Sequence, residues 1–207
     1  MVAGTCAKFA LDVKLLMQTE VGEVSEPYYA HRGSSSTMPQ KRNPISSVYI
    51  TAMASTVKQL GAALFDAMVE DHERSTGPWE IEWIVLPQIC TMTHAILTHT
   101  HEILDGLEVR PEAMRKNLDI TKGAIASEAV MMQLGRLFGR QVAHDLIYDL
   151  CQKAAREDRP LVDLLSGNEN VLNAGVTRKE LELWCNPANY MGLSKEMTLR
   201  VTDPARP

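Results

Sequence analysis

Residues 31 to 44, His-Arg-Gly-Ser-Ser-Ser-Thr-Met-Pro-Gln-Lys-Arg-Asn-Pro, gather hydroxyl, amide and cationic side chains in one short stretch. Ser34, Ser35, Ser36 and Thr37 supply hydroxyls, Lys41 and Arg42 cations, and Asn43 an amide. Such groups can donate hydrogen bonds to a carboxylate, and a hydroxyl whose alkoxide is stabilised can take up a proton. No Asp or Glu occurs between Glu26 and Asp66, although the chain as a whole holds 26 acidic against 21 basic residues. That gap contains Arg32, Lys41, Arg42 and Lys58, with His31 as a fifth potential cation. A local cationic site on an acidic chain predicts a small anionic ligand rather than nucleic acid, which takes a broader basic surface. On composition alone, a solvated serine-rich linker with scattered bases is the plain alternative.

The flanking elements must position these groups. Small polar residues pack little and offer the backbone local alternatives to helix, so 28 to 40 read as a mobile loop that closes over a ligand. Asn43 is a good N-cap and Pro44 suits the first helical position, which predicts a long helix from there to about Val69. The free N–H groups at its start would favour an anion nearby. Before the loop, Val2, Cys6, Phe9, Val13, Leu16, Val21 and Val24 recur mostly at three- and four-residue steps, predicting one helix over 2–24 that Pro27 terminates. It opens mid-pattern without a convincing cap, as expected of a chain that has been cut. A third long helix is expected from Pro78 to about Gly106, kinked at Pro87. His94 and His101 within it are spaced too widely for a helical metal pair and read as ordinary polar-face histidines.

Three long helices with short connections predict antiparallel packing in a bundle, and the leftover apolar surface predicts an oligomer that completes it. From Leu107 the texture changes to shorter helices: Pro111 to Leu118, Ser127 to Phe138, 140 to 157, then Pro160 to Leu165, Thr177 to Trp184 and Ser194 to Val201. Thr177 and Glu180 have the spacing of a capping box. Arg140, Gln141 and His144 read as structural residues linking that helix to the bundle. The expected class is therefore all-α, with residues 1–106 as part of a long-helix bundle and 107–207 as a smaller helical domain. Cys6, Cys90, Cys151 and Cys185 are far apart and form no Cys-x-x-Cys pair, which predicts reduced, buried thiols in a cytosolic protein. No membrane span and no signal peptide are expected.

Ser35-Ser36-Thr37-Met38-Pro39-Gln40-Lys41-Arg42-Asn43-Pro44 resembles the Ser-Ser-x-Met-Pro-x-Lys-x-Asn-Pro signature of the fumarase/aspartase superfamily. Aligned from Met38, the family's catalytic serine falls on Ser35. Its preceding glycine falls on Ser34, with Gly33 one residue earlier, so Ser34 and Ser36 stay open as alternatives. Asn117-Leu118-Asp119, Ser127-Glu128 and Gly139-Arg140-Gln141-Val142-Ala143-His144 resemble the C-terminal domain of adenylosuccinate lyase-like members. The Gly77-Pro78-Trp79-x-x-Glu82-Trp83 run and Asn186 to Leu193 look more like the 3-carboxy-cis,cis-muconate cycloisomerase family.

That resemblance implies removal or addition of a proton at a carbon next to a carboxylate, with bond formation or cleavage at the neighbouring carbon. It implies Ser35 as the base, and Ser36, Thr37, Met38, Lys41 and Asn43 as substrate-binding residues. Its preferred reading is lactonisation of 3-carboxy-cis,cis-muconate in aromatic (protocatechuate) degradation. A fumarate-releasing C–N lyase and an inactive assembly subunit are the alternatives. It implies no metal or organic cofactor, a small polycarboxylate substrate, and a homotetramer whose active sites each combine regions of three subunits. The family's other two conserved regions would lie upstream of residue 1.

Overall fold

The computed structural model describes residues 1–29, 37–38 and 40–203. The chain divides into two compact units, Met1–Met114 and Arg115–Pro207. The architecture is all-α, as expected, relieved among the described residues by one ribbon of two-residue strands.

In the first unit, α1 (Val2–Leu16), α2 (Ile45–Asp66) and α3 (Pro78–Asp105) pack against one another. Ala10, Val13, Ile50, Ala54, Ile96 and Ile103 form the heart of their shared core. Two contacts fix the direction of packing. Tyr49 and His99 meet near one end, with ring centroids 5.9 Å apart. Near the other, Leu64, Ala67 and Met68 line a cavity with Glu82 and Leu86. As residue numbers rise along α2 they fall along its neighbour, so α2 and α3 are antiparallel. This brings the end of α3 beside the start of α2, where the chemically rich stretch enters. Gly106 closes α3 there because a Cβ at this position would lie only 2.7 Å from Cβ of Pro27. Pro87 sits inside α3 without ending it.

The helix expected over 2–24 is shorter. It stops at Leu16, and residues 17–23 turn back: the N–H of Gly22 donates to Gln18 O at 2.7 Å, and that of Glu23 to Leu16 O at 2.9 Å. Gly22 has φ of +61°, a backbone state that glycine adopts at little cost. The turn delivers Val24, still buried, into β1 (Val24–Ser25), which pairs antiparallel with β2 (Glu108–Val109). Val24 therefore keeps its place in the core without being helical, which is why the apolar spacing ran on past the helix.

In the second unit, α5 (Ser127–Phe138) and α6 (Arg140–Glu157) are joined through Gly139 at φ +90°. Val130, Leu134, Ala143 and Ile147 bury against α7 (Leu161–Ser166) and α9 (Arg178–Trp184). The capping box at α9 forms as its spacing predicts, with Thr177 N–H donating to the Glu180 carboxylate at 2.8 Å and Thr177 Oγ1 accepting from Glu180 N–H at 3.3 Å. A short α8 (Glu169–Asn173) was not foreseen; Asn168 caps it, accepting from the N–H groups of Asn170 and Val171. Two more helices, α4 (Pro111–Leu118) and α10 (Ser194–Thr202), fall where expected. Gln141 and His144 both reach Asp145 on their own helix, at 2.9 and 3.0 Å, and both are exposed.

Candidate active site

Of the expected site residues, Thr37, Met38, Lys41 and Asn43 lie among the described residues. Ser35 and Ser36, with Ser34 and most of the loop expected to close over a ligand, lie outside them. Thr37, Met38 and Lys41 are exposed and Asn43 is half-buried. The Lys41 N–H donates to Met38 O at 3.0 Å, a turn that sets the lysine just ahead of α2. Its amine has no ion-pair partner among the described residues, so its charge faces solvent and any incoming anion.

The helix start differs from the expectation. Pro44, not Asn43, occupies the cap position, and Asn43 O accepts the N–H of Ile45 at 2.9 Å. The cap comes from Glu26, twenty residues before Ser46. One carboxylate oxygen accepts from Ser47 N–H at 2.8 Å and Ser47 Oγ at 2.7 Å; the other accepts from Ser46 N–H at 3.1 Å. Glu26 is 7% exposed and Ser47 is fully buried. The anion favoured by the helix dipole is thus the protein's own, and that helix end is not left open for a ligand. Glu26→Ala strands two N–H groups and a buried hydroxyl. It is expected to cost about 3 kcal/mol, since each unsatisfied buried group is worth about 1–3 kcal/mol. A lowered melting temperature checks this, and an unchanged one would show that water replaces the cap.

Arg42 departs from its expected place among the anion-binding cations. Its guanidinium grips Glu108 of β2 through two parallel bonds of 3.0 Å, Nη1 to Oε2 and Nη2 to Oε1. Nη2 also donates to Glu26 O at 2.7 Å, and the guanidinium lies 5.4 Å from the centre of the Tyr28 ring. Arg110 supports the same carboxylate at 3.3 Å while donating to Ser25 Oγ at 2.7 Å and Gly22 O at 3.1 Å. The hydrogen bonds from Arg42 hold the Glu108 carboxyl below its usual range; partial burial opposes this, and the charges of Arg42 and Arg110 reinforce it. A carboxyl shifted down stays ionised throughout the neutral range, so this contribution to stability is lost only as pH falls through the lowered value. The upshot is a division of labour among adjacent residues: Arg42 is committed to the scaffold, whereas Lys41 beside it is not. A bidentate guanidinium–carboxylate pair suits anchoring, and a lone ammonium suits a carboxylate ligand.

Sequence reasoning missed Glu26 and Glu108 because they lie 20 residues from Ser46 and 66 from Arg42. The sole linear hint was the acid-free interval, whose N-terminal border is Glu26 itself. Among the described residues no cluster of His, Cys, Asp or Glu is placed to hold a metal. None of their helices is long and apolar enough to cross a membrane.

Comparison with known proteins bears on this geometry. Residues 1–58 match the family model described as Lyase, and residues 123–201 that described as Adenylosuccinate lyase C-terminus. Trans-aconitate decarboxylase 1 of Mycosarcoma maydis is 54% identical over 97% of this chain and 41% of its own length. The 3-carboxy-cis,cis-muconate cycloisomerase of Pseudomonas aeruginosa is 44% identical over 94% of this chain and 42% of its own. The crystal structure of 3-carboxy-cis,cis-muconate lactonizing enzyme from Pseudomonas putida superposes with a TM-score of 0.84 and 40% identity, over 96% of this chain and 43% of that one. The chain spans less than half the length of these relatives.

Proposed function

This chain belongs to the fumarase/aspartase superfamily, whose C-terminal region it matches, and on that premise we propose that it serves an enzyme moving a proton at a carbon next to a carboxylate. The observation that carries the reading is the stem of the signature stretch: Lys41 unpaired among the described residues, next to Asn43 and to an arginine already neutralised by Glu108. A carboxylate held there would keep the negative charge of the carbanion intermediate close to a cation and an amide donor, which stabilises it more than the substrate. Ser35 is the proposed base or proton donor, and the Lys41 charge would help to stabilise its alkoxide. Ser36, Thr37 and Met38 would line the same ligand.

The proposed substrate is an unsaturated tricarboxylate. For 3-carboxy-cis,cis-muconate, addition of the substrate's own carboxylate to the alkene closes a lactone, and a proton is delivered to the carbon beside another carboxylate. A second reading is favoured by the greater identity to the aconitate enzyme: loss of carbon dioxide leaves a carbanion that takes up a proton. Both need the same carboxylate grip and the same proton carrier. A fumarate-releasing C–N lyase would share them too. Supplying each tricarboxylate to the complete enzyme separates the two readings. Lactone formation without gas release supports the first, carbon dioxide release the second, and turnover of neither contradicts the proposed substrate class.

A homotetramer with sites shared between subunits is proposed alongside. Exposed Tyr49, Phe65, Trp83, Ile84, Leu97 and Leu104 on α2 and α3 support it, since large apolar side chains repeated along paired helices call for a cover. All four cysteines are free, which fits the cytoplasm, but only Cys6 is buried as expected. Cys90 is exposed on α3, and Cys151 and Cys185 are half-buried, where burial pushes the Cys185 thiol up to about 11 and keeps it protonated.

A further inference from the structure

Lys41 and Asn43 flank Arg42, and neighbouring Cα atoms along the chain are about 3.8 Å apart, so whatever fixes Arg42 also fixes the two expected ligand-binding residues. Glu108 does this from β2, beyond the end of α3 and 66 residues away in sequence, with both oxygens engaged by the guanidinium. Its own place is set by pairing with Ser25 in the ribbon and by Arg110, which ties it to Gly22 and Ser25. We propose that Glu108 is a positioning residue for this site, acting through Arg42 to hold Lys41 and Asn43 at the spacing a substrate carboxylate needs.

The proposal rests on the reading of Lys41 and Asn43 as carboxylate ligands. It goes further in giving the ribbon a purpose: the two-residue strands hold Glu108, and through Arg42 the segment that leads into α2. Its physical content is geometric. Loss of the clamp removes no group from the ligand, yet it frees the segment carrying both ligand groups, and small displacements of binding groups are costly. A half-exposed ion pair contributes little to folding, so stability and binding should respond differently to its loss. Glu108 has 41% of its side chain exposed, which makes it a site where substitution can be tolerated.

The test uses the complete enzyme with tricarballylate, a saturated tricarboxylate, as a competitive inhibitor. Glu108→Ala and Arg42→Ala are each expected to weaken inhibitor binding by about tenfold. The double variant should bind no worse than the weaker single one, because both break the same clamp. Melting temperatures should stay near that of the parent, and Lys41→Ala serves as the reference for loss of a direct ligand. If Lys41→Ala weakens binding and Glu108→Ala does not, the positioning role is wrong and the reading of the loop stands. If neither does, the loop reading itself falls and the positioning role with it. Should Glu108→Ala lower the melting temperature, Glu108→Gln decides, since it keeps the side chain's size and loses its charge. Weaker binding with unchanged melting supports the proposal, and unchanged binding overturns it.

Discussion

Ser35→Ala in the complete enzyme is expected to lower turnover by at least about a hundredfold, the low end for a positioned proton-transfer group. Assembly and melting should be unchanged if the hydroxyl serves the chemistry alone. Ser35 lies outside the described residues, so the expectation rests on its place three residues before Met38 in the signature. Ser34→Ala and Ser36→Ala are the internal controls, made informative by a serine standing where the family has glycine. Loss of activity in either control, with Ser35→Ala largely active, would shift the loop alignment by one residue. Near-normal rates in all three would remove the serine base from the account. The measurement is a steady-state rate at saturating substrate, where a proton-transfer defect shows in kcat.

Lys41→Ala should behave differently. If its ammonium meets the substrate carboxylate in the ground state and in the carbanion, as proposed, both KM and kcat should suffer and kcat/KM should fall by about a hundredfold. That corresponds to about 3 kcal/mol, the upper range for a hydrogen bond to a charged group. Arg42 cannot take over, because its guanidinium is held by Glu108 and the Glu26 carbonyl. Lys41→Arg is a sharper probe: charge is kept, but a planar fork replaces a compact ammonium, and part of the loss should remain. Full activity in Lys41→Ala would mean that the carboxylate is bound elsewhere.

What could be read from the sequence was local. The full length of α3, the span of α6 and the Thr177–Glu180 box are each set by residues within a turn or two of one another. So was the signature, since its residues fall within ten positions. Readings failed where the determining partner was distant. Asn43 looked like the cap of α2, but a buried carboxylate twenty residues before Ser46 takes that task. Arg42 looked like a ligand cation, until antiparallel packing of α2 and α3 brought β2 and Glu108 against it. The break after Leu16 was hidden by Val24, whose burial in the ribbon keeps the helical spacing going through a turn. Exposed apolar side chains along α2 and α3 were anticipated in kind, because three helices cannot bury every apolar face.

The central claim is that the loop and its stem move a proton at the carbon beside a bound carboxylate. Turnover of 3-carboxy-cis,cis-muconate and of trans-aconitate by the complete enzyme in deuterium oxide tests it directly, with the product read by proton NMR. The account predicts one deuterium at the carbon adjacent to a carboxylate of whichever product forms, and loss of product formation in Ser35→Ala. Product formed without deuterium at that carbon, or formed equally well by Ser35→Ala, would contradict it.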